Sequence, residues 1–157
     1  MQFTELAQQL GALLKRRSLK IVTAESCTGG MLAAAITSIS GSSQWFERGF
    51  VTYSNESKME LLQVERAIIE RYGAVSEQVA GAMAEGALKN SHADVSVAIT
   101  GIAGPDGGTD EKPVGLVWFG FAGKEIATQC VQKHFSGDRA DVRAQAVAFA
   151  LNLPVCR

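Results

Sequence analysis

The chain has 157 residues, of which 46% are hydrophobic and 20% charged, with a formal net charge of −1. These totals fit one globular domain that buries a core without disulfides or metals. They leave no broad basic surface for nucleic acid, and apolar runs such as residues 31–36 are far too short to cross a membrane.

Phe3, Leu6, Ala7, Leu10 and the pair Leu13/Leu14 recur at helical spacing and predict a first helix over about residues 3–17. Its basic end, Lys15-Arg16-Arg17, reads as favourable charge at a helix C-terminus rather than as a phosphate patch. Glu5, Gln8 and Gln9 mark an amphipathic helix, not a signal peptide. A strand is predicted over residues 19–24 and a small-residue helix over 30–39, stopped by Ser40-Gly41. Residues 42–48 read as a loop with an exposed pair, Trp45-Phe46, and residues 50–53 as a short strand. Asn55 or Ser57 is expected to cap a helical turn carrying Lys58 to Leu62.

A short helix over 65–72 ends at Gly73. Ser76 is the N-cap of a longer helix whose stripe of Val79, Ala80, Met83, Ala84, Ala87 and Leu88 should pack closely on a sheet. Residues 95–99 form an apolar strand that opens into a second glycine-rich segment, 100–109. Two strands, 114–122 and 125–135, are joined by Gly123-Lys124 as a two-residue hairpin turn. Asp138 caps a last helix. Helices alternating with strands early, and a hairpin late, predict an α/β fold: a three-layer α/β/α sandwich with a mixed, mostly parallel sheet in a single domain over residues 1–157. Residues 104–112 are loose enough to be a lid or a wide turn.

Chemistry concentrates where strands end. The run Thr23-Ala24-Glu25-Ser26-Cys27-Thr28-Gly29-Gly30 carries a carboxylate, hydroxyls and a thiol at a strand-to-helix turn. The segment from Thr100 to Pro105 sits at a second strand end, and open α/β sheets bind ligands along that edge. No GxxxxGK[ST] and no GxGxxG is present, so the common nucleotide fingerprints are absent. Three widely spaced cysteines (Cys27, Cys130 and Cys156) fit reduced thiols in a cytoplasmic protein, and only His92 and His134 could complete a zinc site, so no metal is expected. Cys27 is a nucleophile candidate if a helix N-terminus lowers its pKa, and a small core residue otherwise. A serine with a lysine base is the remaining option. Lys58 follows a hydroxyl-rich strand exit, and Ser26, Ser42, Ser43, Ser54 and Ser57 are within conceivable reach.

The blocks at 23–30, 41–58, 73–76, 100–108 and 112–115 resemble the signature blocks of the CinA C-terminal domain family, the competence/damage-inducible proteins. The resemblance implies a mixed five-stranded α/β/α sandwich, hydrolysis of nicotinamide mononucleotide to nicotinate mononucleotide and ammonia in NAD salvage, no cofactor or metal, and a homo-oligomer. Its site residues match here as Ser26, Ser43, Tyr53, Lys58 and Thr100, with glycine backbone at Gly29, Gly30 and Gly101. On that basis Ser43 attacks the carboxamide and Lys58 takes its proton, with Tyr53 or Ser26 in support. The alternative assignment has Ser26 as nucleophile and Ser43 in support. Arg139 and Arg143 are phosphate partners by their chemistry. Trp45 or Phe46 would stack on the pyridinium ring, anchor the fold or form a subunit contact. The rival readings are a non-catalytic nucleotide-binding or regulatory domain, and a role on DNA, which the acidic pI disfavours.

Overall fold

The computed structural model describes residues 2–152. Six helices surround one mixed sheet: α1 (Thr4–Arg16), β1 (Ile21–Glu25), α2 (Met31–Thr37), β2 (Phe46–Val51), α3 (Asn55–Leu62), α4 (Arg66–Tyr72), α5 (Glu77–Lys89), β3 (Val95–Gly101), β4 (Leu116–Gly123), β5 (Ile126–His134) and α6 (Arg139–Leu151). The sheet order is β2-β1-β3-β4-β5. β1 is parallel to both β2 and β3, whereas β4 is antiparallel to β3 and to β5. Four strands therefore share a direction and β4 alone is reversed, as a sandwich closed by a late hairpin requires.

The strands alternate between two cores. Ile21, Val97, Ile99, Val117, Phe119 and Phe121 face one core with Leu10, Leu14, Leu32, Ile36, Val142 and Val147, which come from α1, α2 and α6. Val22, Ala24, Ala98 and Ala122 face the other core with Leu62, Ile69, Val79, Met83 and Ala87, from α3, α4 and α5. The second face is built of small residues so that α5 can sit close. A Cβ at Gly120 would collide with the Ala80 carbonyl, and one at Gly86 with the Leu62 carbonyl.

Several local readings change. The strand expected at 50–53 starts earlier, at Phe46, and stops at Val51. Trp45 is not exposed. It is buried against α1, where a Cβ on Gly11 would press into its indole. The helical turn at 58–62 is a full helix starting at Asn55, and its cap is Ser54, whose Oγ accepts from the Ser57 N–H at 3.0 Å. The hairpin turn is Lys124-Glu125, one residue later than expected, because β4 runs on through Gly123. Other caps fall where expected: Ser76 Oγ accepts from the Val79 N–H, and Asp138 forms a capping box with Asp141.

Candidate active site

Three parallel strands deliver their carboxyl ends to one edge of the sheet. Glu25 of β1 lies between Val51 of β2 and Ile99 of β3. A cavity of about 270 Å³ opens above this edge, lined by residues that include Ser26, Cys27, Tyr53, Asn55, Lys58, Thr100, Gly101, Asp106 and Arg139.

Lys58 is the centre of the site. It is the fourth residue of α3, at the end of the first turn, and helical side chains lean back toward the helix N-terminus. Its stem is buried, with 1% of the residue exposed, and its Nζ reaches back to the exit of β2. There it donates to the Thr52 carbonyl at 2.8 Å and the Tyr53 carbonyl at 3.1 Å, and it lies 3.1 Å from Ser26 Oγ. No carboxylate is among these partners. Burial therefore lowers its pKa from 10.5 to about 8. In the neutral amine the two carbonyls can take both N–H groups, which leaves the lone pair for the Ser26 hydroxyl. That is the arrangement a general base needs.

The turn bearing Ser26 is held on two sides. From within, the fully buried Glu25 carboxylate accepts from Thr28 Oγ1 at 2.6 Å, from the Leu32 N–H at 2.8 Å and from the Ala33 N–H at 3.1 Å. From without, Arg143 of α6 donates to the Cys27 and Thr28 carbonyls at 3.1 and 3.2 Å. Of the two glycine N–H groups in this turn, that of Gly29 is taken and that of Gly30 donates to no described residue. The Leu32 and Ala33 N–H groups of α2 serve Glu25, the Met31 N–H donates to Thr28 O at 3.0 Å, and the Gly29 N–H donates to Ser26 O at 3.0 Å. Gly29 and Gly30 also supply positive φ, +59° and +107°, which bends the chain into the helix. The Cys27, Thr28 and Gly30 N–H groups donate to no other described residue.

The other expected residues divide. Ser26 and Lys58 are brought together. Thr100 and Gly101 line the cavity at the end of β3. Thr100 Oγ1 donates to the Ala74 carbonyl, which ties the α4–α5 connection to the site. Arg139 lies at the rim and donates to Gly104 O at 2.8 Å and to the Tyr53 hydroxyl at 3.2 Å. Tyr53 offers Lys58 its carbonyl, while its side chain, 61% exposed, faces Arg139 rather than the lysine. Arg143 does not line the cavity; its guanidinium is engaged by the turn.

Ser43 does not line this cavity. It is exposed in the short 3-10 turn Ser42–Gln44, which precedes β2 and so lies at the opposite edge of the sheet. The five paired residues of β1 separate the two edges by roughly 16 Å of strand. Within the chain, the serine beside Lys58 is Ser26. Trp45, beside the start of β1, is equally remote from the cavity and anchors the core. Cys27 is buried, and burial pushes its thiol up to about 11, so it is not a ready nucleophile. Cys27 and Cys130 are free thiols, and Cys156 lies outside the described residues. Among the described residues no group of histidine, cysteine and carboxylate side chains is arranged to hold a metal ion, and no helix is long and apolar enough to cross a membrane.

The loop between β3 and β4 is secured at several points. The Ile102 N–H donates to Leu116 O, the Gly115 N–H to Ile102 O, and Lys112 Nζ to the Tyr72 carbonyl. It reads as a fixed wall. Sequence reasoning missed Thr52, whose carbonyl orients the lysine, and the role of Glu25. A capping serine at 54 just after a strand was the available signal for the first.

The model of the CinA C-terminal domain family matches residues 3–155. A protein of Enterobacter agglomerans named nicotinamide-nucleotide amidohydrolase PncC is 58% identical over 147 residues, which is 94% of this chain and 90% of that one. Its namesake in Escherichia coli K12 is 54% identical over 150 residues, 96% and 91% of the two chains. The crystal structure of the competence/damage inducible protein CihA from Agrobacterium tumefaciens superposes with a TM-score of 0.95 at 41% identity, covering 99% of this chain and 94% of that one.

Proposed function

The chain belongs to the CinA C-terminal domain family, and we propose that it is a nicotinamide-nucleotide amidohydrolase that works through a Ser26–Lys58 dyad. The observation that carries the mechanism is the buried Lys58 amine, 3.1 Å from Ser26 Oγ and fixed by two carbonyls. Nicotinamide mononucleotide is the substrate this reading names, and nicotinate mononucleotide and ammonia are the products. That exchange returns a pyridine nucleotide to NAD salvage.

Ser26 Oγ attacks the carboxamide carbon while Lys58 takes the hydroxyl proton. The carbonyl π pair becomes an oxyanion that faces the Cys27 and Thr28 N–H groups. Lys58 then gives its proton to the amide nitrogen, the C–N bond breaks and ammonia leaves an acyl ester on Ser26. Water, deprotonated by Lys58, attacks the ester; the proton returns to Ser26 Oγ and the carboxylate product departs. The fixed positive charge of the pyridinium favours a neutral lysine beside it, and Asp106 supplies a carboxylate to the cavity lining. Arg139, at the rim, is the phosphate partner.

The test is ammonia release from nicotinamide mononucleotide by the purified chain, with Ser26→Ala and Lys58→Ala alongside. Release by the wild type and loss in both variants is expected. No release, with nucleotide binding retained, would leave a non-catalytic nucleotide-binding domain.

A further inference from the structure

We propose that Arg143 is a positioning residue for this hydrolysis: from α6 it grips the Cys27 and Thr28 carbonyls, fixes the turn that carries Ser26, and strengthens the backbone donor that meets the oxyanion. The inference rests on Ser26 being the nucleophile. Its starting point is a mismatch between chemistry and place. An arginine at the start of a helix near a nucleotide site suggests a phosphate ligand, yet this guanidinium is outside the cavity lining and half-buried against the turn.

The two contacts fall on particular peptide groups. Arg143 Nε donates to Cys27 O at 3.1 Å. That carbonyl and the Thr28 N–H belong to one peptide unit. A cation at the oxygen draws electron density from the nitrogen and makes its N–H a stronger donor. The Thr28 N–H, like that of Gly30, donates to no described residue. Arg143 Nη2 donates to Thr28 O at 3.2 Å, and the N–H of that second peptide unit, on Gly29, donates to Ser26 O and closes the turn. Glu25 holds Thr28 from the other side through its Oγ1, and accepts from the Leu32 and Ala33 N–H groups of α2. Any rotation of the turn would break bonds on both sides at once. Arg143 thus acts on the chemical step through the backbone, without touching substrate.

The experiment uses the full chain with Arg143→Gln and Arg143→Lys, measured by ammonia release from nicotinamide mononucleotide between pH 6 and 10. Loss of a whole oxyanion donor costs about 10²–10³ in kcat, and weakening one should cost about 10- to 100-fold. For Arg143→Gln we expect that fall in kcat with KM within about threefold of wild type, and an acid limb of kcat/KM at the wild-type pH. Arg143→Lys should keep more activity, since an ammonium still donates to a carbonyl. A second readout is the aldehyde counterpart of the substrate. Ser26 Oγ adds to its carbon and the hydroxyl proton passes to Lys58, leaving an alkoxide in the oxyanion position. Its affinity should fall in step with kcat/KM.

A KM raised tenfold with kcat intact would make Arg143 a phosphate ligand and overturn the proposal. Unchanged kinetics would overturn it too, as would a displaced acid limb, which would signal general disturbance of the dyad. If Arg143→Gln fails to fold, Arg143→Lys is read by the same criteria. A wild type that releases no ammonia would instead sink the underlying reading, and with it this one.

Discussion

The sharpest consequence of a buried, carbonyl-bound Lys58 is a pH limb. An ordinary lysine, with a pKa near 10.4, is neutral in roughly 4 parts in 10⁴ at pH 7. Burial brings Lys58 to about 8. The neutral fraction at pH 7 is then about a tenth, a gain of roughly 200-fold in active base. The expected kcat/KM for ammonia release rises about tenfold per unit from pH 6 to 8 and levels off above, as one group loses one proton. The other group beside the dyad, Cys27, is held at about 11 and stays a thiol through this range. A substrate phosphate titrates near pH 6, about two units lower, and nicotinamide riboside lacks it altogether. Profiles with both substrates therefore isolate the enzyme's own limb. A limb at 6.5 would point to an imidazole, although neither histidine lines the cavity. A flat profile, or a limb unchanged in Lys58→Ala, would refute the assignment of Lys58 as base.

Ser26→Ala should lower kcat by about 10³ or more while nucleotide binding persists by calorimetry, and Ser43→Ala, at the far edge of the sheet, should turn over within about twofold of wild type. If Ser43→Ala were inert instead, the geometry of a single chain would not describe the working site. Lys58→Met should convert the pKa shift into a stability difference. The folded state resists protonating this lysine, so the cost is fully present below about pH 8 and disappears above 10.5. Denaturant titrations should show wild type gaining about 3 kcal/mol on Lys58→Met across that window, and a constant difference would mean Lys58 is not buried as described. Glu25→Gln removes a buried acceptor that serves three donors, and should cost about 1–3 kcal/mol in the same titrations; no loss would show that the grip on the turn is dispensable.

Periodicity made most of the fold legible. The leucines of α1 and the alanine-rich stripe of α5 repeat at helical spacing, and both sit on buried faces. What the pattern hid was β2. Its sequence, Phe46 to Val51, carries Glu47, Arg48 and Gly49 in a row, because an edge strand half in solvent need not alternate cleanly. Gly49 has a further reason to be there: a Cβ would strike Thr23 Oγ1 on β1. The indole of Trp45 misled in the opposite sense. A large aromatic in a polar loop looks exposed until its partner is known, and that partner is an absent side chain, Gly11, thirty-four positions earlier in the chain.

The same misplaced strand explains which serine meets Lys58. With β2 read as 50–53, Ser43 and Lys58 seem to flank a short excursion, and either serine could meet the lysine. Once β2 begins at Phe46, Ser43 precedes it and Lys58 follows it, so a whole strand separates them. β2 is at the edge of the sheet and has a single neighbour, β1, which runs parallel to it. Parallel neighbours bring their exits side by side. A lysine reaching back from the helix after β2 therefore meets the residue just past β1, and that residue is Ser26. The pairing follows from topology plus the backward lean of a helical side chain. It needed the strand order, in which residues 32 apart become neighbours, and no spacing within the sequence contains that.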